Sequence, residues 1–315
     1  MNSSPLIVLN ALVIRGDTSV AEGTRSARPK YNVNRTGEGV EDAGTSDKTL
    51  ALTTQAQLEW EAFDEYWRKT HGPKILHQEG SNDRVTSLLR YYLQQHRIPG
   101  GPCSENAPPY RAKTTSDGLL VPDPAARCEP YIRPAWDGVA QLAYDDIRAV
   151  ETFFDVGPGK YGDKIVPDEA VFLRGFGFNV CEEHVQIQNG DKRRDPIILI
   201  KNHTRNADLS RSEFRERWMN EHADVIKAKP QAANIIRRYA QLHNISKSSD
   251  KLYDAVGDAI DGITVMSFAN MNDLEEFLCT DEYATIAEDE ASFAIKTSYF
   301  TALNYVIRDT TLVQS

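Results

Sequence analysis

The chain has 315 residues, of which 40% are apolar and 26% charged, values typical of a soluble globular protein. Its 46 acidic and 36 basic side chains give a net charge of −10, which argues against a nucleic-acid partner or an anionic membrane surface. The four cysteines show neither a CxxC spacing nor the density of a disulfide scaffold, so we expect a reduced, intracellular setting.

The first predicted element is a buried strand over residues 6–14. This apolar run resembles the central region of a signal peptide, but no basic residue precedes it and no small-residue cleavage site follows it. No run in the sequence approaches the roughly 20 uncharged apolar residues of a membrane-spanning helix. We therefore expect a cytoplasmic chain without a membrane partner.

A helix is predicted after a polar stretch at about residues 16–50, which has the composition of an irregular insertion. The pattern Thr54-x-x-Gln57 is typical of a capping box at a helix start. Gly72 and the proline after it are typical of a helix end. The helix is expected between these two signals.

One face of this helix carries large side chains. Phe63, Trp67 and His71 recur every four residues, so they lie on the same face. The two aromatic residues predict that this face points at a sheet. His71 is expected at the C-terminal end of the helix, where the helix dipole favours an imidazolium.

A second strand is predicted at about residues 88–96, and it contains Arg90, Tyr92 and His96. Alternate residues of a strand share a face, so these three side chains are expected on one side of the sheet. Residues 97–135 follow, and their many prolines and glycines predict a long irregular loop.

A strand, a helix and a further strand complete the first half of the sequence. Asp137 and Gly138 are interpreted as a strand entry, with an aspartate of structural role and a glycine that permits a tight turn. Asp146 is of the type preferred at a helix N-cap. The last strand is predicted over residues 178–187.

The second half of the sequence repeats the first. Four blocks are collinear between the halves, and the distance between partners falls from 151 to 121 residues. The paired blocks are 61–71 with 212–222, 89–96 with 236–243, 137–139 with 261–263, and 168–172 with 289–293. The largest decrease in this distance places an insertion at about residues 97–135 of the first half. Residues at about 16–50 have no counterpart in the second half. The sequence therefore predicts two copies of one module, over residues 1–190 and 191–315.

The order of elements in each copy is β-α-β-β-α-β, which is the ferredoxin-like unit. One such unit leaves a face of its sheet bare, and a second copy covers that face most simply. We therefore predict an α+β fold in which two ferredoxin-like modules pack sheet to sheet as an intramolecular α/β barrel. The chain would be a monomeric pseudo-dimer or a homodimer.

The pattern Phe-x-x-x-Trp-x-x-x-His, followed by the Asp-Gly strand and a phenylalanine-bearing helix, resembles the EthD family of the dimeric α/β-barrel superfamily. The similarity is clearest over residues 197–308 and looser in the first copy. The resemblance implies a tailoring decarboxylase, dehydratase or cyclase of aromatic polyketide pathways, a cofactor-free monooxygenase, or an accessory protein of ether degradation. Haem-binding relatives exist in the wider superfamily. The resemblance narrows the architecture more than the chemistry, because one fold hosts many reactions.

The recurring histidines, His71 and His222, are the candidate catalytic residues, because an imidazole can transfer protons near neutral pH. A capping or core histidine that bonds a helix carbonyl is the alternative interpretation. The resemblance favours catalysis, because this histidine is the most constant position of the family's pattern. Candidate substrate-binding residues occur at repeated positions of the two copies: Tyr239, Arg237, Tyr92, Arg90, Trp218 and Trp67. Structural tyrosines and ordinary salt bridges are the alternatives for these residues.

No metal and no cofactor are expected. The seven histidines show no HxH or HExxH spacing, and no glycine-rich phosphate-binding pattern is present. Lys201 and His203 are expected to follow the first strand of the second copy. The first copy has no histidine there, so any role of His203 would make the two cavities unequal.

The leading hypothesis is a cofactor-independent lyase, a decarboxylase or dehydratase, that acts on an aromatic or polyketide-like small molecule by histidine acid/base catalysis. A cofactor-free monooxygenase and a non-catalytic small-molecule binding protein are the alternatives.

Overall fold

The structure is a computed structural model, and it describes residues 4–16, 60–77, 84–104, 112–118, 120–122, 134–155, 160–190 and 193–311. The predicted capping box at Thr54 and most of the 16–50 insertion lie outside these ranges. The strands are β1 (Ile7–Arg15), β2 (Tyr91–Arg97), β3 (Ala112–Thr114), β4 (Leu120–Pro122), β5 (Gly138–Tyr144), β6 (Leu173–Gln188), β7 (Ile197–Arg205), β8 (Arg238–Asn244), β9 (Gly262–Phe268) and β10 (Ala294–Asp309).

The helices pack outside the large sheet. In the first half they are α1 (Trp60–Tyr66), a π-helical segment (Trp67–His71), α2 (Gly72–Leu76), α3 (Arg84–Ser87), α4 (Ile147–Phe153), α5 (Tyr161–Lys164) and α6 (Val166–Phe172). In the second half they are α7 (Arg211–Arg217), a second π-helical segment (Trp218–His222), α8 (Ala223–Lys227), α9 (Pro230–Ile235), α10 (Ala255–Asp258), α11 (Met271–Cys279) and α12 (Asp281–Ala291). Within the described residues, none of these helices has both the length and the apolar character needed to cross a membrane.

Eight strands form one closed barrel in the order β1-β5-β2-β10-β7-β9-β8-β6. Every pairing in it is antiparallel. The order β6-β1-β5-β2 in the first copy and β10-β7-β9-β8 in the second places the fourth, first, third and second strands of each copy side by side. The predicted α+β class is therefore confirmed.

The fourth strand of each copy joins the two halves of the barrel. β6 pairs with β1 as far as Glu182 and with β8 from Cys181 onward. In the same way, β10 pairs with β7 up to Leu303 and with β2 from Ala302 onward. Both strands are 16 residues long, which exceeds the length expected from the sequence. Because each copy completes the sheet of the other, no barrel strand is left with an open edge.

Alternate residues of the strands fill two separate layers. Val8 and Leu12 belong to an apolar cluster shared by strands of both copies, whereas Leu9 and Val13 pack with the helices of the first copy. Alternation of this kind is what a strand buried on both faces requires. The helices of the second copy cover a cluster that includes Leu199 and Met266.

The structure corrects several predictions made from the sequence. The first helix does not end at Gly72, because Pro73 stands in the first turn of α2, where a missing N–H is tolerated. Lys201 and His203 lie within β7 rather than after it. The described part of the 97–135 insertion contains the hairpin β3–β4 instead of a purely irregular loop.

The glycine that opens β5 makes room for a tryptophan. A Cβ atom on Gly138 would lie 2.6 Å from Cζ3 of Trp67 and 2.6 Å from the carbonyl oxygen of Gln95. Gly262 meets Trp218 in the same way in the second copy. Neither glycine has a left-handed backbone conformation. The glycine of each Asp-Gly pair is therefore needed because the tryptophan packs closely against it, and not because of the tight turn that the sequence predicted.

We expect Gly138→Ala to lower the free energy of unfolding by about 1–3 kcal/mol, because the added methyl group overpacks the contact with Trp67. Urea unfolding measures this change. Gly72→Ala is the matched control, since its Cβ would meet its nearest neighbour, Nε2 of Gln94, at 3.3 Å and alanine favours the helical conformation. Equal stability of the two variants would contradict the packing explanation.

Candidate functional site

A largely apolar pocket lies between the sheet and the helices of the first copy. It encloses about 120 Å³, and its described lining includes Leu252 of the second copy. The polar side chains among the described lining residues are those of His71, Tyr92, Tyr161 and Glu169. The apolar lining includes Leu9, Ala11, Val13, Trp67, Ile75, Ala140, Leu142, Phe154, Phe172 and Phe176.

His71 is held in this pocket by a carboxylate. Its Nδ1 lies 2.8 Å from Oδ2 of Asp168, and both side chains are almost fully buried. Asp168 also accepts hydrogen bonds from Lys74 and, at 2.8 Å, from the hydroxyl of Tyr66. Burial alone raises the pKa of Asp168, but the hydrogen bonds from His71, Lys74 and Tyr66 outweigh this effect and lower it to about 2. Asp168 is therefore ionised near neutral pH and fixes a proton on Nδ1 of His71.

The helix that carries His71 is locally rewound. Trp67–His71 form a π-helical segment, and the backbone N–H of Gly72 donates to the carbonyl of Trp67. Such π turns inside α-helices occur frequently at functional sites. The ring of Phe172 lies 4.8 Å from the imidazole and packs against it. His71 thus lies inside a helical run that continues through α2, and not at the C-terminal end that the sequence suggested.

Two tyrosines and a second carboxylate complete the polar wall. The hydroxyl of Tyr161 donates to Oε1 of Glu169 at 2.5 Å. The hydroxyl of Tyr92 accepts a hydrogen bond from Nε2 of Gln94 at 2.7 Å, and burial raises the pKa of this phenol. Gln94 also donates to the carbonyl of Trp67. Gln94 therefore links the polar wall of the pocket to the π-helical segment through hydrogen bonds.

The second copy repeats the histidine–carboxylate pair. Nδ1 of His222 lies 2.6 Å from Oδ2 of Asp289, and the ring packs on Phe293. His222 is the last residue of the π-helical segment that begins at Trp218, as His71 is the last residue of the segment that begins at Trp67. Burial lowers the pKa of His222, and the neighbouring carboxylates oppose this shift.

The two copies differ in the side chains that lie near the histidine–carboxylate pair. Lys201 forms an ion pair with Glu290, and Nδ1 of His203 lies 3.1 Å from the other oxygen of Glu290. Nε2 of His203 lies 2.9 Å from the hydroxyl of Thr264. All three members of this cluster are buried. The second copy thus fills the space beside His222 with its own side chains.

The backbone shows which residues of the first copy occupy these positions. The carbonyl of Val13 accepts from the N–H of Asp137, and the carbonyl of His203 accepts from the N–H of Asp261. Val13 therefore corresponds to His203, and Ala11 corresponds to Lys201. Both small residues line the pocket of the first copy.

Burial of His203 predicts a dependence of stability on pH. Burial lowers its pKa to about 3, although Glu290 acts in the opposite direction. The unfolded chain therefore binds a proton at His203 below pH ~6.5, whereas the folded chain binds it only near pH 3, so stability falls as the pH drops between these values. From pH 7 to pH 5 this histidine alone removes about 2 kcal/mol.

We expect His203→Val, which installs the residue of the first copy, to remove this part of the pH dependence. Urea unfolding at pH 7 and pH 5 measures the difference for both proteins. A variant that loses as much stability as the parent over this range would show that His203 is not buried in its neutral form.

The other predicted site residues lie in different surroundings. Trp218 and Tyr239 are buried, and the hydroxyl of Tyr239 accepts a hydrogen bond from Gln241. Arg90 and Arg237 lie just before β2 and β8, and neither lines the pocket of the first copy. Their guanidinium groups are half-exposed and pair with Asp145 and Asp195.

Sequence reasoning missed the partners of the histidines. Asp168 and Glu169, with Asp289 and Glu290 in the second copy, occupy the fourth repeated block and lie on α6 and α12. Two adjacent carboxylates retained in both copies were the available signal. Within the described residues, no group of three or more His, Cys, Asp or Glu side chains has an arrangement suited to a metal ion.

The EthD domain family model matches residues 55–175 and 206–297, one segment in each copy. A proposed monooxygenase from Lactobacillus acidophilus NCFM is 12% identical, with coverage of 96% of this chain and 94% of that one and a TM-score of 0.42. A dimeric protein of unknown function with a ferredoxin-like fold, from Bacteroides fragilis, is 15% identical over 36% of this chain and 97% of its own, with a TM-score of 0.27. An anthrone oxidase-like protein is 7% identical over 99% and 97% of the two chains, with a TM-score of 0.42. No curated protein matches the chain.

Proposed function

The chain belongs to the EthD domain family and contains two copies of the domain in tandem. We propose that the first copy is an enzyme that acts on a small molecule. It acts as a lyase, a decarboxylase or dehydratase, on an aromatic compound, with His71 as the general acid/base. The second copy supports the barrel and one wall of the pocket. The two copies divide at about residue 190, as an intramolecular version of the dimeric α/β barrel.

One observation carries this proposal, namely a buried histidine that faces an apolar pocket while a carboxylate holds its other ring nitrogen. Nδ1 of His71 is bonded to Asp168, and Nε2 has no hydrogen-bond partner among the residues that the structure describes. An ionised Asp168 stabilises the imidazolium that forms during proton transfer. Nε2 is therefore the atom that exchanges a proton with the substrate.

The pocket volume limits the size of the reacting group. An apolar cavity of ~150 Å³ holds one benzene ring, so a cavity of about 120 Å³ suits a single ring rather than a fused polycyclic body. We therefore narrow the substrate to a monocyclic aromatic compound, with any further substituents extending past Leu252.

Decarboxylation of an ortho-hydroxylated aromatic acid illustrates the chemistry. Protonated Nε2 of His71 gives its proton to the ring carbon that bears the carboxylate, and a C–H bond forms. The bond to the carboxylate then breaks, its electron pair restores the aromatic ring, and CO2 leaves. His71 regains a proton from solvent, so each turnover consumes one proton. Glu169 and Tyr161 accept and orient the ring hydroxyl, and the apolar wall excludes water.

The copies differ in what they can bind. In the first copy, Ala11 and Val13 leave space beside Glu169, and that space is the pocket. In the second copy, Lys201 and His203 occupy the corresponding positions and pair with Glu290. A substrate beside His222 would have to displace a buried ion pair, which is costly. We therefore assign turnover to the first copy.

The test is product analysis with 2,4-dihydroxybenzoate, which carries one ring, an ortho hydroxyl and a carboxylate. A lyase releases CO2 and resorcinol without consuming oxygen. Oxygen uptake with an anthrone would instead indicate the cofactor-free monooxygenase. Tight retention of an unchanged ligand, with neither activity across a panel of monocyclic aromatic acids, would contradict catalysis and indicate a binding protein.

A further inference from the structure

A second cavity lies at one mouth of the barrel, where β1 and β7 end. It has a volume of about 450 Å³, and its described lining comes from both copies and from the 97–135 insertion. Trp136 and Phe300 supply aromatic surfaces, and Ile14 and Ile260 supply aliphatic ones. None of these residues lines the pocket that contains His71. The cavity is therefore a separate feature of the fold.

Asn202 in the wall of this cavity is buried without hydrogen bonds. The residue is 5% exposed, and neither Nδ2 nor Oδ1 has a partner within the described part of the chain. An unpaired buried polar group costs about 1–3 kcal/mol. The corresponding residue of the first copy is Leu12, because Val13 corresponds to His203. An apolar side chain is therefore compatible with this position of the strand, and packing does not account for the amide.

The described lining of the same cavity carries a positive charge. It contains the exposed Lys296 and no carboxylate. Ser104 and Ser298 also line the cavity. A lysine, an asparagine with an unpaired amide and aromatic side chains thus line one space.

We propose that this mouth of the barrel binds an aromatic N-acylamino acid. The side-chain amide of Asn202 pairs with the amide of the ligand, donating from Nδ2 to its carbonyl and accepting at Oδ1 from its N–H. Lys296 contacts the ligand carboxylate, and the aromatic group packs on Trp136 and Phe300. The site has no role in the proton transfer at His71, and it stands or fails independently of the proposed lyase activity.

The experiment is a calorimetric titration of the full chain with N-benzoylglycine, which has the three required groups. We expect saturable binding tighter than about 1 mM in the parent protein. Asn202→Leu should weaken it at least ~10-fold, which corresponds to one lost hydrogen-bonding group of about 1.4 kcal/mol. Lys296→Met should weaken it about 3-fold or more and reduce its dependence on salt.

The controls separate this site from the first pocket and from unfolding. His71→Gln should bind N-benzoylglycine as the parent does, and thermal unfolding should show that Asn202→Leu is folded and at least as stable as the parent. If Asn202→Leu does not fold, Asn202→Ala takes its place in the titration. Absence of binding in the parent, or parent-like affinity in the folded Asn202 variant, would overturn the proposal. Loss of binding in His71→Gln would also overturn it, because the ligand would then occupy the first pocket.

Discussion

Replacing Ala11 with Lys and Val13 with His is expected to abolish turnover in the first copy, with a fall of at least ~100-fold in kcat/KM. These are the residues that the second copy carries at the same strand positions. Their side chains would occupy the pocket and pair with Glu169, as Lys201 and His203 pair with Glu290. Release of CO2 from 2,4-dihydroxybenzoate measures the effect.

The reciprocal exchange provides the control for this prediction. Lys201→Ala with His203→Val should leave turnover at the first copy within about 2-fold, because those residues lie outside its pocket. Circular dichroism and thermal unfolding of both double variants show whether the barrel is intact. A folded Ala11→Lys, Val13→His protein with parent activity would refute the assignment of the pocket.

Loss of the proton-transfer group has the second large effect. We expect His71→Gln to lower kcat by about 10²–10⁴-fold, the usual contribution of a general acid/base, with little change in KM. Glutamine retains a hydrogen-bond donor toward Asp168, so the variant should fold. Steady-state kinetics at several pH values measures both constants.

His222→Gln is the matched variant in the second copy. It removes the equivalent imidazole from an equivalent carboxylate, Asp289. Its kcat should stay within about 2-fold of the parent value, because the space beside His222 is filled by the chain itself. Equal losses in the two variants would mean that both copies take part in catalysis, and unchanged activity in His71→Gln would remove the histidine from the mechanism.

Much of the fold could be predicted from the repeated blocks alone. They define two copies, and the order of patterns in each copy indicates the ferredoxin-like unit. The sharing of one helix face by Phe63, Trp67 and His71 also agrees with the structure, since all three are buried. This shared face could be predicted because helical periodicity depends only on the local sequence.

The features that the sequence did not indicate depend on contacts between distant segments. The π-helical turn at Trp67–His71 accompanies the packing of Trp67 on Gly138, the first residue of β5. No local sequence pattern links these two residues. The bond between His71 and Asp168 joins residues 97 positions apart. Helix and strand periodicity describe one element at a time, so they cannot identify such pairs.

The difference between the two cavities could be recognised only once the register of the strands was known. Ala11 and Val13 show no sequence similarity to Lys201 and His203. The matching strand registers and the backbone hydrogen bonds of Asp137 and Asp261 align them. The sequence indicated that His203 would make the copies unequal. It did not indicate that the cavity with the smaller residues is the open one.

A crystal structure of the chain with bound 2,4-dihydroxybenzoate, grown with the His71→Gln variant to prevent turnover, shows which of the two copies binds the substrate. We expect one aromatic ring in the first copy, between Trp67 and Phe176, with its carboxylate-bearing carbon within about 4 Å of the residue 71 side chain. The space beside His222 should contain no ligand. A ligand bound beside His222, with the pocket of the first copy empty, would show that the substrate site lies in the second copy instead.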